Sequence, residues 1–382
     1  MADMSRLLLI GAGHAHAQVL KDWARSPVPG CELTIVSPSS LSPYSGMVPG
    51  WLAGVYCYDE ICIDFGALAQ AANARLLIDE LEQLDPEARQ VTLRSGQLLG
   101  YDVLSLNAGS TLTPPSDALA AHVLSLRPLR NLRAAWERVM SNPDLLPARG
   151  CFQVTTVGGG AAGVEATLAT LARLRAQYPE APVRGTVVTH ARQILPGMAA
   201  SAARSASRVL ADAGVAIRLE SELDDDLARH SDVLLWATGA EAHAWQRASG
   251  LAVSERGFIR IDAQLGSVSH PKVHAVGDCA EWATPLPKAG VFAVRMGPVL
   301  SNNLRASLGE GRPCTYRPQR RYLVLLATAD GRAIGSWGAI SFSGRWVWRW
   351  KDRIDRKFIA RFRIPRRPPS VPLDLPTSGD PA

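Results

Sequence analysis

Two stretches of this chain run from a short apolar strand into a glycine turn and on into a helix, and any fold must accommodate both. The first is Leu7-Leu8-Leu9-Ile10-Gly11-Ala12-Gly13-His14-Ala15-His16, with residues 17–23 continuing at helical spacing. The second is residues 152–157 followed by Gly158-Gly159-Gly160-Ala161-Ala162-Gly163-Val164-Glu165. Each has the order of a βαβ unit that seats a dinucleotide. Gly11 permits a sharp turn. Gly13 lets backbone N–H groups approach a pyrophosphate at the positive end of the helix. Ala12, His14 and Ala15 complete that turn, and His16 stands where the GxGxxG pattern has its third glycine. In the second stretch Gly158, Gly160 and Gly163 are all present. Two such motifs in one chain imply two dinucleotide sites.

The strands that follow each motif refine this reading. The second strand of the first unit, residues 32–36, ends on Ser37, where such units usually carry an acid for the ribose hydroxyls. A serine can still hydrogen-bond ribose, more weakly than a charged acceptor. The matching strand of the second unit, residues 186–189, also lacks an acid. His190 and Arg192 follow it and favour a 2′-phosphate, hence NADP over NAD. Each unit closes with a buried strand and a small-residue turn, Ala108-Gly109 in one and Thr238-Gly239 in the other. Residues 42–50 hold Pro43, Tyr44, Gly46, Pro49 and Gly50, a rigid loop that either presses backbone on a flat ring or is a simple turn. Residues 66–95 read as a helix followed by hairpin strands, and 127–140 as a helix. Pro114 and Pro115 read as a crossover linker, and Pro143 and Pro147 as a loop.

With 382 residues, 47% of them hydrophobic, the chain can bury a large core and form two or three domains. It has no apolar run long enough to span a bilayer and no convincing signal peptide, so a cytoplasmic location is expected. Six cysteines are too sparse for a disulfide framework, and the absence of CxxC gives no support for a metal site. Cys57 and Cys62 have Tyr58, Asp59 and Glu60 as neighbours, which raise a thiol pKa. Both are expected to be buried structural thiols.

Charge is concentrated at one end. Residues 345–367 hold ten Arg or Lys against Asp352 and Asp355, while the whole chain is only +6. Within a helix from 346 to about 363, Trp346, Trp350, Ile354, Phe358 and Phe362 recur every four residues on a slowly drifting face. That pattern suits a peripheral anchor on a membrane surface. It equally suits packing on the protein's own core or on a second copy in a homodimer. Nucleic-acid binding has no accompanying fold.

On these residues the chain resembles the two-dinucleotide-binding-domain flavoproteins, the pyridine nucleotide-disulfide oxidoreductase superfamily. The carrying features are the turn at 11–16, the motif at 158–165, the turns at Gly109 and Gly239, and Val276-Gly277-Asp278-Cys279-Ala280. It is most similar to type II NADH dehydrogenases and to the oxidoreductase domain fused to selenide, water dikinase. That second similarity rests on the Gly-His-Ala-His turn and on residues 44–50 and 344–352. The resemblance implies an α/β protein with two Rossmann-like (three-layer ββα) dinucleotide-binding domains, the second inserted in the first. The FAD-binding domain would be 1–112 with 265–312, and the NAD(P)-binding domain 113–264. A small C-terminal α+β region would occupy 313–364, and a disordered tail 365–382.

The resemblance also implies roles. FAD would lie on residues 11–16, with Gly277 and Asp278 at its ribityl chain, and NAD(P)H on 158–163. Hydride would pass from NAD(P)H to FAD and on to a quinone or another small acceptor. Ala289 and Gly290 open a helix whose positive end would face charge developing on the flavin. Glu165 matches the family's glutamate beside nicotinamide and flavin, for positioning or proton handling. Its bland alternative is a carboxylate favoured by the helix dipole. Lys288 would stabilise reduced flavin, or is a surface lysine. Residues 287–290 are also similar to sulfide:quinone oxidoreductases, but residues 164–175 lack the cysteine those enzymes need. The remaining alternative is a non-catalytic flavoprotein linked to selenium metabolism.

Overall fold

The computed structural model describes residues 4–113, 123–141 and 150–364. The linker prolines 114 and 115, the loop prolines 143 and 147, and the tail 365–382 lie outside the described residues.

Two five-stranded parallel sheets form the body. In the first, Ser5–Ile10 lies between Cys31–Ser37 and Val103–Leu106, with Arg75–Ile78 beyond the former. The edge beside Val103–Leu106 is closed by Val273–Ala275. In the second, Phe152–Val157 lies between Val183–Val188 and Val233–Trp236, flanked by Val215–Arg218 and Val123–Ser125. All strands of the second sheet fall between Leu106 and Val273 in sequence, so the first sheet is interrupted and then completed. Central strands such as Ser5–Ile10 and Val233–Trp236 read as apolar runs because parallel sheets are covered on both faces.

Helix His14–Arg25 packs against helix Gly290–Ser307. A side chain at Gly297 would stand 3.0 Å from Gln18 Cβ and 3.4 Å from Ala15 Cα, so glycine sets that close crossing. An antiparallel three-stranded sheet, Leu81–Asp85, Gln90–Leu93 and Leu98–Gly100, matches the expected hairpins. A second antiparallel sheet, Leu323–Ala327, Ala333–Trp337 and Ile340–Gly344, runs into helix Arg345–Ala360. This helix is shorter than the expected 346–363. Its stripe divides: Trp346, Trp350 and Ile354 are exposed, whereas Phe358 and Phe362 are buried. Cys57 and Cys62 are free thiols. Cys62 is buried and Cys57 is exposed, which corrects the expectation that both are buried.

Candidate active site

The first glycine turn is built as its residues require. Gly11 has φ +97°, and a Cβ there would stand 2.5 Å from the Asn107 carbonyl oxygen. A Cβ at Gly13 would meet Asn107 Oδ1 at 2.1 Å. Asn107, at the end of strand Val103–Leu106, accepts from the Ala15 N–H at 3.2 Å and donates to the Val276 carbonyl at 3.0 Å. One buried amide therefore ties the turn to the loop carrying Gly277 and Asp278. Asp278 forms an ion pair with Arg127, whose guanidinium also donates to Ser110 Oγ (2.6 Å) and to the Lys288 carbonyl (3.3 Å). The pattern of residues had pointed to neither Asn107 nor Arg127, because their partners lie far away in sequence.

His16 is fully buried. Its Nδ1 is 2.7 Å from the Gly11 carbonyl and its Nε2 is 2.9 Å from Ser105 Oγ. A carbonyl only accepts, so Nδ1 carries the proton and Nε2 accepts from the serine hydroxyl. Burial lowers its pKa to about 4, and the ring is neutral. The equivalent Gly163 closes the second turn by contact, since a Cβ there would lie 2.0 Å from the Gly158 carbonyl oxygen. His16 closes the first turn by hydrogen bonding instead. His16→Ala leaves Ser105 and the Gly11 carbonyl without these bonds and should cost about 1–3 kcal/mol. A lower unfolding temperature with a lower flavin-to-protein ratio is the expected result; unchanged values for both would refute it.

His14 points differently. Its Nε2 is sealed from solvent and has no hydrogen-bond partner among the described residues. Its ring sits edge-on to Tyr44 (5.4 Å) and Phe358 (5.6 Å). Burial lowers its pKa to about 4. A Cβ at Gly290 would lie 3.2 Å from Ser45 Oγ and 3.9 Å from His14 Cε1. The first turn of helix Gly290–Ser307, His14 and the loop at Tyr44 thus meet beside the Gly11–Gly13 turn, with Ala289 as the helix N-cap. An orphaned imidazole nitrogen, backbone N–H groups and a glycine cradle fit a flavin nucleotide.

Two expected contacts have other geometry. The Ser37 hydroxyl turns inward and donates to the Ser39 carbonyl at 2.9 Å, not outward to a ribose. The Lys288 ammonium donates to the Ala280 carbonyl at 2.6 Å and lies 3.6 Å from the Phe258 ring centroid. Burial lowers its pKa. It is neither a free surface lysine nor one pointing without a partner into the cradle.

In the second turn Gly158 has φ +120°, and a Cβ there would stand 2.3 Å from the Ala237 carbonyl oxygen. Gly160 and Gly239 face open space, and Thr238 adjoins Gly158. His190 is exposed. Arg192 reaches Glu220 at 3.4 Å, both highly exposed. The loops carrying them are laced by Glu220 N–H to Ala191 O (3.2 Å) and Ser221 N–H to Thr189 O (3.1 Å). The Arg192 charge therefore has an acidic neighbour that the local pattern did not reveal.

Glu165, on helix Ala161–Gln177, reaches away from the glycine turn and accepts from the Ala327 N–H at 2.7 Å. Burial pushes its pKa up to about 7; Lys351 and the Ala327 N–H oppose the rise, and Asp355 adds to it. It lines a cavity of ≈ 100 Å³ with Pro49, Gly50, Ala53, Ala169 and Trp348. A larger groove of ≈ 460 Å³ adjoins this cavity at Ala329 and Arg332. Behind Glu165, the C-terminal helix turns Lys351 and Asp355 inward, 2.6 Å apart and each only 6% exposed in its side chain. Lys351 Nζ also donates to the Gly46 carbonyl at 2.5 Å, and Asp355 accepts from the Tyr44 hydroxyl. The signal for this pair was present as an acid four residues after a lysine in a basic helix.

Two strand–glycine turn–helix units on separate parallel sheets, each with the close backbone approach its glycines allow, have the form of dinucleotide cradles. The chain belongs to the pyridine nucleotide-disulphide oxidoreductase family, whose profile matches residues 5–297. Its cofactors are FAD and NAD(P)H, and it is an NAD(P)H-dependent flavoprotein oxidoreductase. It is 28% identical over 301 residues to the nitric oxide reductase FlRd-NAD(+) reductase of Salmonella typhi, covering 73% of each chain. Its fold is similar to that of NDH2 from Plasmodium falciparum in complex with NADH (TM-score 0.78, 11% identity, 94% of this chain and 97% of that one). It is also similar to the sulfide:quinone oxidoreductase of Aquifex aeolicus (TM-score 0.76, 15% identity, 94% and 91%).

Proposed function

We propose that this protein passes two electrons from NAD(P)H through FAD to a quinone-class acceptor. Residues 1–112 and 265–312 form the FAD domain and 113–264 the nucleotide domain. The Gly11–Ala15 turn lets backbone approach the FAD pyrophosphate, with Asp278 at the ribityl chain and His14 facing the flavin nucleotide. Gly158, Gly160 and Gly163 shape the nicotinamide nucleotide cradle. Bound FAD supplies the two-electron relay. The observation carrying the acceptor is Glu165: a carboxyl with a pKa near 7 on the wall of a largely apolar cavity suits an acceptor that must take up protons. The adjoining groove is the route inward. With Arg192 beside Glu220, discrimination between NADH and NADPH is weak. Anaerobic titration of the flavin-loaded protein with each nucleotide, then mixing with quinones and small redox proteins, tests the reading. A flavin that neither nucleotide reduces ends it, and reoxidation only by redox proteins replaces the acceptor.

Sulfide as the electron donor has little support. Cys279 is sealed and its thiol is pushed up to about 11 by burial, while Cys62 is pushed up to about 12.

The same reading places the protein at a membrane surface. No described helix is long and apolar enough to cross a bilayer. Trp337 and Ile340 are cross-strand partners, both exposed. Phe342 stacks on Trp346 and Trp350, and Ile354 continues the strip. Arg345, Arg349, Arg353 and Lys357 are exposed on the same helix, and anionic lipid complements them. Replacing Trp346 and Trp350 by alanine removes two anchors of about 1.5–3 kcal/mol each, so sedimentation with phosphatidylglycerol vesicles should weaken at least about 10²-fold. Wild-type protein that stays in the supernatant at low salt would exclude membrane docking.

A further inference from the structure

We infer that Asp355, on the inward face of the C-terminal helix, is a positioning residue that shares one proton with Glu165 across Lys351 and so sets the pH range in which Glu165 can supply it. This rests on the reading of Glu165 and a quinone-class acceptor given above.

The groups around Glu165 are Lys351 and Asp355 from the C-terminal helix and Tyr44 from the loop; Arg332, which lines the same cavity, is exposed to solvent. His14, from the first glycine helix, is neutral. Burial, reinforced by Asp355 and Glu165, raises the Tyr44 hydroxyl well above its ordinary value, so it too is neutral. Asp352, one helical turn away, faces outward to the Tyr56 hydroxyl (2.6 Å) and Arg356 (2.9 Å). Two carboxyls therefore face one ammonium. Both ionised would leave a net negative charge on a half-buried Glu165 and a buried Asp355, and one bound proton removes it.

The partners decide where that proton rests. Asp355 has Lys351 at 2.6 Å and the Tyr44 hydroxyl, while Glu165 has one backbone N–H. The better-solvated carboxylate is Asp355, and the proton rests on Glu165. Burial still raises Asp355 above the usual carboxylate range, with Lys351 and Tyr44 opposing it, which keeps the two sites in competition. The balance of the reaction requires this proton. Reducing a quinone to a quinol takes two electrons and two protons. NAD(P)H gives both electrons with one proton as hydride and leaves as NAD(P)⁺. The second proton comes from Glu165, which is reprotonated from water.

The test follows quinone reduction by the FAD-loaded protein between about pH 5 and 9. Asp355→Asn removes the negative neighbour, leaves Glu165 facing Lys351, and should move the falling limb at least about one unit to acid, a tenfold loss on the alkaline side. Lys351→Met removes the cation and should move the limb to alkaline pH. Limbs that stay fixed, or move together, overturn the inference. If Asp355→Asn does not hold FAD, Tyr44→Phe decides: without the phenol donor Asp355 takes more of the shared proton, so the plateau rate falls and the limb moves a smaller distance to alkaline pH. A fixed limb there also overturns it. A wild-type flavin that NAD(P)H reduces but no quinone reoxidises is instead a failure of the proposed acceptor.

Discussion

Glu165→Gln slows quinone reduction on the order of 10²–10⁴-fold at pH 7, the usual reach of a positioned proton donor, and removes the loss of rate above neutrality. The amide keeps the shape and the bond from Ala327 but holds no transferable proton. The same change should alter stability in a pH-dependent way. The folded carboxyl is raised from 4.5 to about 7, so between those values the folded chain binds a proton that the unfolded chain releases. Wild-type stability is therefore fully present below the lower value and is lost as pH rises through the upper one. The glutamine variant has no such loss. Thermal unfolding of both proteins at about pH 5 and pH 8 should show the variant gaining on wild type at the higher pH. Equal differences at both values, or full turnover, would falsify the role given to Glu165.

The second large effect belongs to the turn of the inserted sheet. Gly158→Val forces a β-branched residue into φ +120° and drives its Cβ to 2.3 Å from the Ala237 carbonyl oxygen and 3.1 Å from the Thr238 nitrogen, both backbone atoms. The strain is about 1–3 kcal/mol, and the turn must open. A displacement of about 1 Å at a positioning site can cost 10²-fold, so reduction of the flavin by NAD(P)H should fall at least that much. FAD content should persist, because Gly11 and Gly13 belong to the other sheet. Gly11→Val, at φ +97° and 2.5 Å from the Asn107 carbonyl oxygen, should show the reverse order, losing FAD first. Stopped-flow reduction and flavin content separate the two. If both variants lose FAD equally, the two turns do not divide the nucleotides between them.

These turns were legible in the sequence because close backbone approach is written directly into residue type. Gly11, Gly13, Gly158 and Gly163 each stand where a Cβ would collide with another atom. The C-terminal stripe was legible only in part. A four-residue repeat overshoots a 3.6-residue turn by about 40° per step. The row from Trp346 to Phe362 therefore starts facing solvent and ends in the core, so packing on the protein's own core accounts for Phe358 and Phe362 and leaves Trp346, Trp350 and Ile354 exposed. Lys351 and Asp355 stand four residues apart, but charge in a basic run reads as a solvated face; only the fold shows that this pair turns inward toward Tyr44 and Gly46. Asn107 and Arg127 act on residues 92 to 169 positions away, beyond any local pattern. The missing third glycine looked like a defect, and its compensation depends on Ser105, 89 residues on.

The interrupted first sheet has a consequence for synthesis. Val103–Leu106 must wait for Val273–Ala275 before its outer edge is paired, whereas every strand of the inserted sheet has emerged by Trp236. The nucleotide half can thus close on itself while the FAD half still carries an open parallel edge, and long-range parallel pairing is slow. Through that interval the nascent chain exposes one unpaired strand of four buried residues, Val103 to Leu106. The finished, folded insert, by holding its two ends close, shortens the search that brings the last strand home.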